Sequence, residues 1–236
     1  MYNYKKHIDK KSLYEIQKTY EKYYNFKGCN PYPNNKMDIG ERGEFNIFKA
    51  LLKIKPSIRI LIDLYIPTSN NKTTQIDLLF IHTTGIYVIE SKNTYAKLSG
   101  SYIDYHWNME YKNGKSFIMY NPILQNNAHI SHIKSLLKHY PSEYFYSILV
   151  IGNKKDNLNG LQIDTSKLEF QTMITTKSGI SKKIENLLYN RQRKLKIYNM
   201  LDEFEIDYIY DTLYNYSKVS DDIKSNHIKN INKAWI

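Results

Sequence analysis

The stretch TTQIDLLFIHTTGIYVIESKN, Thr73–Asn93, constrains the fold more than any other part of the chain. Two runs rich in β-branched and aromatic residues meet at Gly85, and each has the length of a strand. The apolar content suits a buried sheet. Yet Asp77, Glu90 and Lys92 stand inside these runs. Burying an unpaired charge costs several kcal/mol, so the fold must bring these groups to one another or to a ligand.

Residues two apart in a strand share a face. Glu90 and Lys92 therefore point the same way, with Ile86 and Val88. A hairpin turning at Thr84-Gly85 brings Asp77 within about one residue of Ser91. Two carboxylates and one ammonium then converge at one end of the hairpin. Hard oxygen ligands of this kind suit magnesium or manganese, and the Ser91 carbonyl can add a further one. Lys92 can orient an attacking water or stabilise charge developing on a phosphoryl group. A structural ion pair on a solvated sheet face is the plainer alternative, and a short D…E-x-K pattern alone does not separate the two.

Two helices add candidates. Residues 38–54 predict a helix capped by Asp38, with Glu41 completing a capping box. Glu44 shares the inward stripe with Phe48 and Leu51 and has no such local role. Residues 121–140 predict a helix opened by Asn121 and Pro122. Gln125 lies in its first turn, where an amide can hold a water or a phosphate oxygen. His129 and His132 continue that face and read as packing or surface residues, and Trp107 reads as core.

Strands are expected at 58–66, 75–82, 85–91, 101–111, 116–120, 145–151 and 171–175, and further helices at 5–24, 178–190 and 198–216. The order predicts an α/β (α+β) fold, with a central mixed, largely antiparallel sheet flanked by helices. Gly and Pro in 25–36 mark a boundary. The expected organisation is an N-terminal helical appendage over 1–37, a main domain over 38–216 and a C-terminal tail over 217–236.

The single Cys29 excludes an internal disulfide and a multi-cysteine metal site, and it fits a reducing compartment. With no apolar leader segment and no run long enough to span a bilayer, the expectation is a cytoplasmic protein without membrane contact. The net charge of +11 is concentrated in two blocks. Residues 1–36 hold eight lysines against three acids, and 177–196 hold seven Lys and Arg against Glu185. Such blocks attract polyanions, though a solvated lysine-rich surface has the same composition. Lys182, Lys183, Arg191 and Arg193 are the candidate nucleic-acid contacts.

GERGE at Gly40–Glu44, QIDLLFIHTTGIYVIESKN at Gln75–Asn93, GSYIDYHW at Gly100–Trp107 and NPILQNNAHI at Asn121–Ile130 together resemble the nuclease-related domain (NERD) family, placed among the PD-(D/E)XK nucleases. The resemblance implies a restriction-endonuclease-like core. It implies Asp77, Glu90 and Lys92 as the metal and catalytic core, with Glu44 matching the helical acid and Gln125 the downstream glutamine. Together with the ligand chemistry above, the expected metal ligands for Mg2+ or Mn2+ are Asp77, Glu90 and Ser91, and the expected catalytic residues are Lys92, Glu44 and Gln125. The expected activity is metal-dependent hydrolysis of nucleic acid, DNA before RNA, in a setting such as defence or repair. The alternative is a non-catalytic nucleic-acid-binding or protein-interaction module on the same fold. The N-terminal helix is the candidate contact for a second copy or a protein partner.

Overall fold

A computed structural model describes residues 39–54, 58–68, 72–152, 154–195 and 200–234. The helix expected over 5–24, the break at 25–36, the Asp38 cap and the Glu41 side chain lie outside what is described.

Helix α1 spans Ile39–Leu51. Strands β1 (Arg59–Pro67), β2 (Thr73–His82) and β3 (Gly85–Lys92) follow as an antiparallel meander. Next come β4 (Lys97–Ser101), β5 (His106–Glu110), β6 (Ser116–Tyr120), α2 (Pro122–Leu136), β7 (Phe145–Ile151), β8 (Gly160–Gln162) and β9 (Gln171–Thr175). Helices α3 (Ile180–Lys194), α4 (Glu203–Tyr214) and α5 (Asp221–Ala234) complete the described chain. The strands form two mixed sheets, ordered β1-β2-β3-β7-β9 and β6-β5-β4-β8. The fold is α+β, as the order of elements predicts. In the first sheet, β3 pairs antiparallel with β2 and parallel with β7, and β9 adds a second parallel pair. The second sheet was not separable in sequence, because β4 and the three-residue β8 lack β-branched residues.

Strand β3 is buried from Gly85 to Glu90 because helices cover both of its faces. Tyr87 and Ile89 pack with Ile47 and Leu51 of α1 and Ile184 and Leu188 of α3. Ile86 and Val88 pack with Ile130 and Ile133 of α2 and Ile209 and Leu213 of α4. The second sheet caps this latter side at the C-terminal end of β7, where Leu149 and Ile151 meet Leu98 and Trp107. Asn121 ties the layers together. Its side chain accepts from Ile123 N–H at 2.9 Å, capping α2, and donates to the Asp104 carbonyl at 2.7 Å.

The segment read as a tail holds α5, which is fastened to the outer strands. His227 Nδ1 lies 2.9 Å from the Thr73 carbonyl oxygen, and Lys224 Nζ lies 3.2 Å from Asp63 Oδ2. Asp63 is buried and has φ +53°, a left-handed conformation costing about 1–2 kcal/mol in a non-glycine residue. Gln75 Nε2 donates to its other carboxyl oxygen at 2.6 Å. The β1–β2 register pairs Ile62 with Leu78 and Leu64 with Ile76, so Asp63 stands opposite Asp77.

Candidate active site

The β2–β3 ladder ends with Leu78 opposite Ile89, and the next position sets Asp77 opposite Glu90. Asp77 Oδ2 accepts the Ser91 N–H at 2.9 Å. The N–H and C=O of one strand residue point to the same side, so the Ser91 carbonyl is also directed toward β2, beside Asp77. Alternation turns Glu90 and Lys92 toward the α2 face. Glu90 Oε1 meets Lys92 Nζ at 2.7 Å, and Oε2 lies 3.7 Å from His129 Nε2. Glu90 and His129 side chains are each 3% exposed and Lys92 is 29% exposed, so the lysine is the member that reaches water.

Glu44 comes from the opposite face, since α1 packs against Tyr87 and Ile89. It is half-buried, and its charge acts on both Asp77 and Lys92 across the end of the sheet. Gly43 makes this approach feasible. A Cβ there would lie 2.7 Å from Asn93 Cβ and 3.2 Å from Ser91 Oγ. Alanine is normally the better helix residue by about 1 kcal/mol. Gly43→Ala is nevertheless expected to destabilise the protein and weaken any activity that depends on Glu44. Urea denaturation would check this, with an unchanged midpoint contradicting the close-packing argument.

Burial first, then the charges of Glu90 and Glu44, holds the Asp77 carboxyl well above the usual range, against Lys92 and the Ser91 amide. Burial works to lower the Lys92 ammonium, but Glu90, Asp77 and Glu44 outweigh it and raise its pKa. Burial pushes His129 down to about 4, with Glu90 opposing and Lys92 and His132 assisting. At neutral pH, Lys92 is therefore charged and His129 neutral.

His82, buried at the β2–β3 turn, is also lowered to about 4, by burial and then by Arg191. A histidine lowered by folding contributes stability that is fully present above its unfolded pKa near 6.5. That stability is lost as pH falls through the folded value. Each histidine is expected to remove roughly 3 kcal/mol between pH 6.5 and 4. Urea midpoints across that range should fall steeply, and more shallowly in His82→Asn.

The donor set suits a hard divalent cation: three carboxylates act on one another with one ammonium among them. Ser91 Oγ, Asn126 Oδ1 and His129 Nδ1 are buried without a hydrogen-bond partner among the described residues. No three His, Cys, Asp or Glu side chains among those residues form a ready-made cage. Magnesium does not need one, because it is commonly held by one or two carboxylates and keeps its waters.

Gln125 is half-buried in the first turn of α2, where its backbone N–H donates to the Asn121 carbonyl at 3.0 Å. Its neighbour Asn126 anchors the helix, donating to the Val88 carbonyl at 3.0 Å and to Ser147 Oγ at 2.8 Å. His129, one turn beyond Gln125, is the α2 residue that faces Glu90, and it was read in sequence as packing or surface. A second residue missed in sequence is Lys177, whose Nζ donates to Asn93 Oδ1, one residue past Lys92. The positive charge of Arg42 acts on Lys177.

The candidate phosphate contacts divide. Lys182 is 77% exposed and lies 4.0 Å from Glu185. Arg193 is exposed, over the Tyr189 ring at 5.7 Å. Lys183 is half-buried near Thr176 Oγ1 at 3.5 Å. Arg191 is a correction. It is buried, donating to the Thr84 and Glu143 carbonyls at 3.1 and 3.0 Å and to Gln171 Oε1 at 2.5 Å, with Tyr146 stacked at 5.1 Å. Its Nη1 and Nη2 donors are committed to the fold, and the buried guanidinium does not face a polyanion.

Residues 39–152 match the nuclease-related domain family. An uncharacterised protein of Bacillus anthracis is 26% identical over 200 residues, which cover 83% of this chain and 85% of that protein. No solved structure matches. The matched span holds Glu44, Asp77, Glu90, Ser91, Lys92 and Gln125, so every residue of the carboxylate–lysine cluster falls within the similarity to that family.

Proposed function

We propose that the chain is a divalent-metal-dependent nuclease acting on nucleic acid, DNA before RNA. The observation that carries this reading is Asp77 opposite Glu90 at the open end of the hairpin, with Lys92 2.7 Å from Glu90 and the charge of Glu44 acting on the same cluster. Asp77, Glu90 and the Ser91 carbonyl would hold magnesium or manganese, which supplies Lewis acidity toward a phosphodiester and makes hydroxide available at neutral pH. Lys92, charged and partly exposed, donates to a non-bridging phosphate oxygen as negative charge develops there. Glu44 completes the acidic side of the site, and Gln125 orients a water or a phosphate oxygen. Lys177, Arg42 and the exposed Lys182 and Arg193 draw the polyanion in.

A second reading, a binding module on the same fold, draws on the Glu90–Lys92 contact, which taken alone is a satisfied ion pair. Incubating the purified protein with labelled DNA and RNA in magnesium, manganese or EDTA separates the two. Cleavage that persists in EDTA, or none in either metal, overturns the metal-dependent reading.

Lys92→Ala is expected to spare manganese binding and lower turnover about 10²- to 10³-fold. Lys92→Arg should rescue poorly, because a planar fork does not replace a compact ammonium. Calorimetric titration beside a cleavage assay tests this, and lost manganese affinity would make Lys92 a positioning residue for the ligands.

Among the described residues no helix is long and apolar enough to cross a membrane. A cytoplasmic setting suits the single cysteine. Defence or repair, and contact with a second copy or a partner through the N-terminal segment, belong to the same proposal.

A further inference from the structure

A groove of about 1060 Å³ opens where the second sheet meets the C-terminal ends of β3 and β7. Its walls include Tyr95, Tyr111, Lys97, Lys112 and Lys154, with the acids Glu110 and Asp156 also lining it. Lys97 and Glu110 are cross-strand partners in the β4–β5 ladder, so that carboxylate has a cation beside it. Lys115 and Lys155 adjoin the groove in sequence and are exposed.

The aromatic residues are placed in two different ways. Tyr95 is 62% exposed, although burial is the favourable state for a ring of that size. Tyr111 is held in a fixed orientation. Its hydroxyl is 3.4 Å from Thr94 Oγ1, and its ring meets Phe117 edge-on at 5.8 Å. Phe117 is itself 54% exposed. Rings with open faces among lysines are the elements by which proteins bind single strands. Bases stack on the rings and the lysines follow the phosphates. A duplex keeps its bases stacked inside and offers these rings nothing comparable.

The groove begins close along the chain to the carboxylate cluster. Only Asn93 and Thr94 separate Lys92 from Tyr95, and three residues span at most about 10 Å. On the other wall, Gly152 N–H donates to the Lys92 carbonyl at 2.8 Å, and Lys154 lies two residues further on. Beneath, Leu149 and Ile151, the register partners of Glu90 and Lys92, pack against Leu98 and Trp107 of the second sheet.

We propose that this groove is the substrate-strand subsite and that it takes single-stranded nucleic acid, with Tyr95 and Tyr111 stacking bases and Lys97, Lys112 and Lys154 holding phosphates. The proposal deepens the nuclease reading and takes its functional meaning from it. Its test does not depend on cleavage. Fluorescence anisotropy in EDTA, with a labelled oligothymidylate of about 15 nucleotides and the matching duplex, reads binding alone. Wild type should prefer the single strand. Tyr95→Ala should weaken single-strand binding about tenfold and leave duplex binding unchanged, while Tyr95→Phe keeps wild-type affinity. Lys97→Gln with Lys154→Gln should weaken binding and flatten its dependence on salt. Unchanged single-strand affinity in Tyr95→Ala, or a wild type that prefers the duplex or binds neither, overturns the subsite. A second assay, cleavage in manganese, separates the two proposals. Binding through Tyr95 without cleavage keeps the groove and removes the nuclease reading. Equal single-strand cleavage by wild type and Tyr95→Ala keeps the nuclease and removes the groove.

Discussion

Asp77→Asn is expected to abolish metal-dependent cleavage and, at the same time, to raise the thermal midpoint of the metal-free protein. The two effects share one cause. Burial and the charges of Glu90 and Glu44 hold the Asp77 pKa well above that of a free aspartate. A carboxyl raised by folding stabilises the fold while it is protonated, and that contribution is lost as pH rises through the folded value. At neutral pH the charge is therefore a strain on the folded state unless a cation joins it. Asparagine removes the charge and keeps an oxygen for the Ser91 N–H, which lies 2.9 Å from Asp77 Oδ2. Thermal melts in EDTA at pH 5 and pH 8 should show the variant gaining mainly at the higher pH. In manganese the order should reverse, because only the wild type gains from binding the ion. A variant less stable than wild type at both pH values in EDTA would mean that Asp77 is a structural hydrogen-bond acceptor and not a strained ligand.

Arg191→Ala is expected to cost roughly 3–5 kcal/mol of stability, whereas Arg193→Ala, two residues on, should stay within about 0.5 kcal/mol. Truncating Arg191 leaves the Thr84 and Glu143 carbonyls and the Gln171 amide without their donor, and it removes a cation from the Tyr146 ring. Arg193 loses only an exposed stack on Tyr189. Nucleic-acid affinity per folded molecule should behave in the opposite sense, unchanged by the first substitution and weakened by the second. Equal stability losses would place Arg191 on the surface after all.

These two arginines also show where sequence reasoning reaches and where it stops. Composition assigns both to one basic block. Periodicity could have separated them, because Ile184, Leu188 and Arg191 follow the i, i+4, i+7 stripe that α3 turns inward, and Arg193 does not. The hairpin was readable because alternation, the Thr84-Gly85 turn and three misplaced charges all agree, and its register came within a residue of the observed one. Asn121 and Pro122 announced α2 for equally local reasons. His129 was not assigned to the site, because only the packing of α2 on β3 brings it to Glu90. Strand β4 escaped because KLSGS has a single large apolar residue and owes its pairing to β5 and β8. Likewise, Lys177 meets Asn93 only because β9 lies two strands from β3.

The position of Asp63 bears on how much of the chain folds as one cooperative unit. The family match ends at residue 152, but Asp63, opposite Asp77, is held in its left-handed conformation in part by Lys224, more than seventy residues beyond that limit. A fragment cut at the homology boundary would lose that ammonium. It would also lose β9, leaving β7 as a raw edge of Phe, Ile, Leu and Val ready to pair with another molecule. Asp63 would be free to relax out of its strained geometry and to carry β1 with it, at the level where Asp77 must stay put. The evolutionary module and the folding unit are therefore different lengths of the same chain, and the shorter one would be expected to aggregate before it could be assayed.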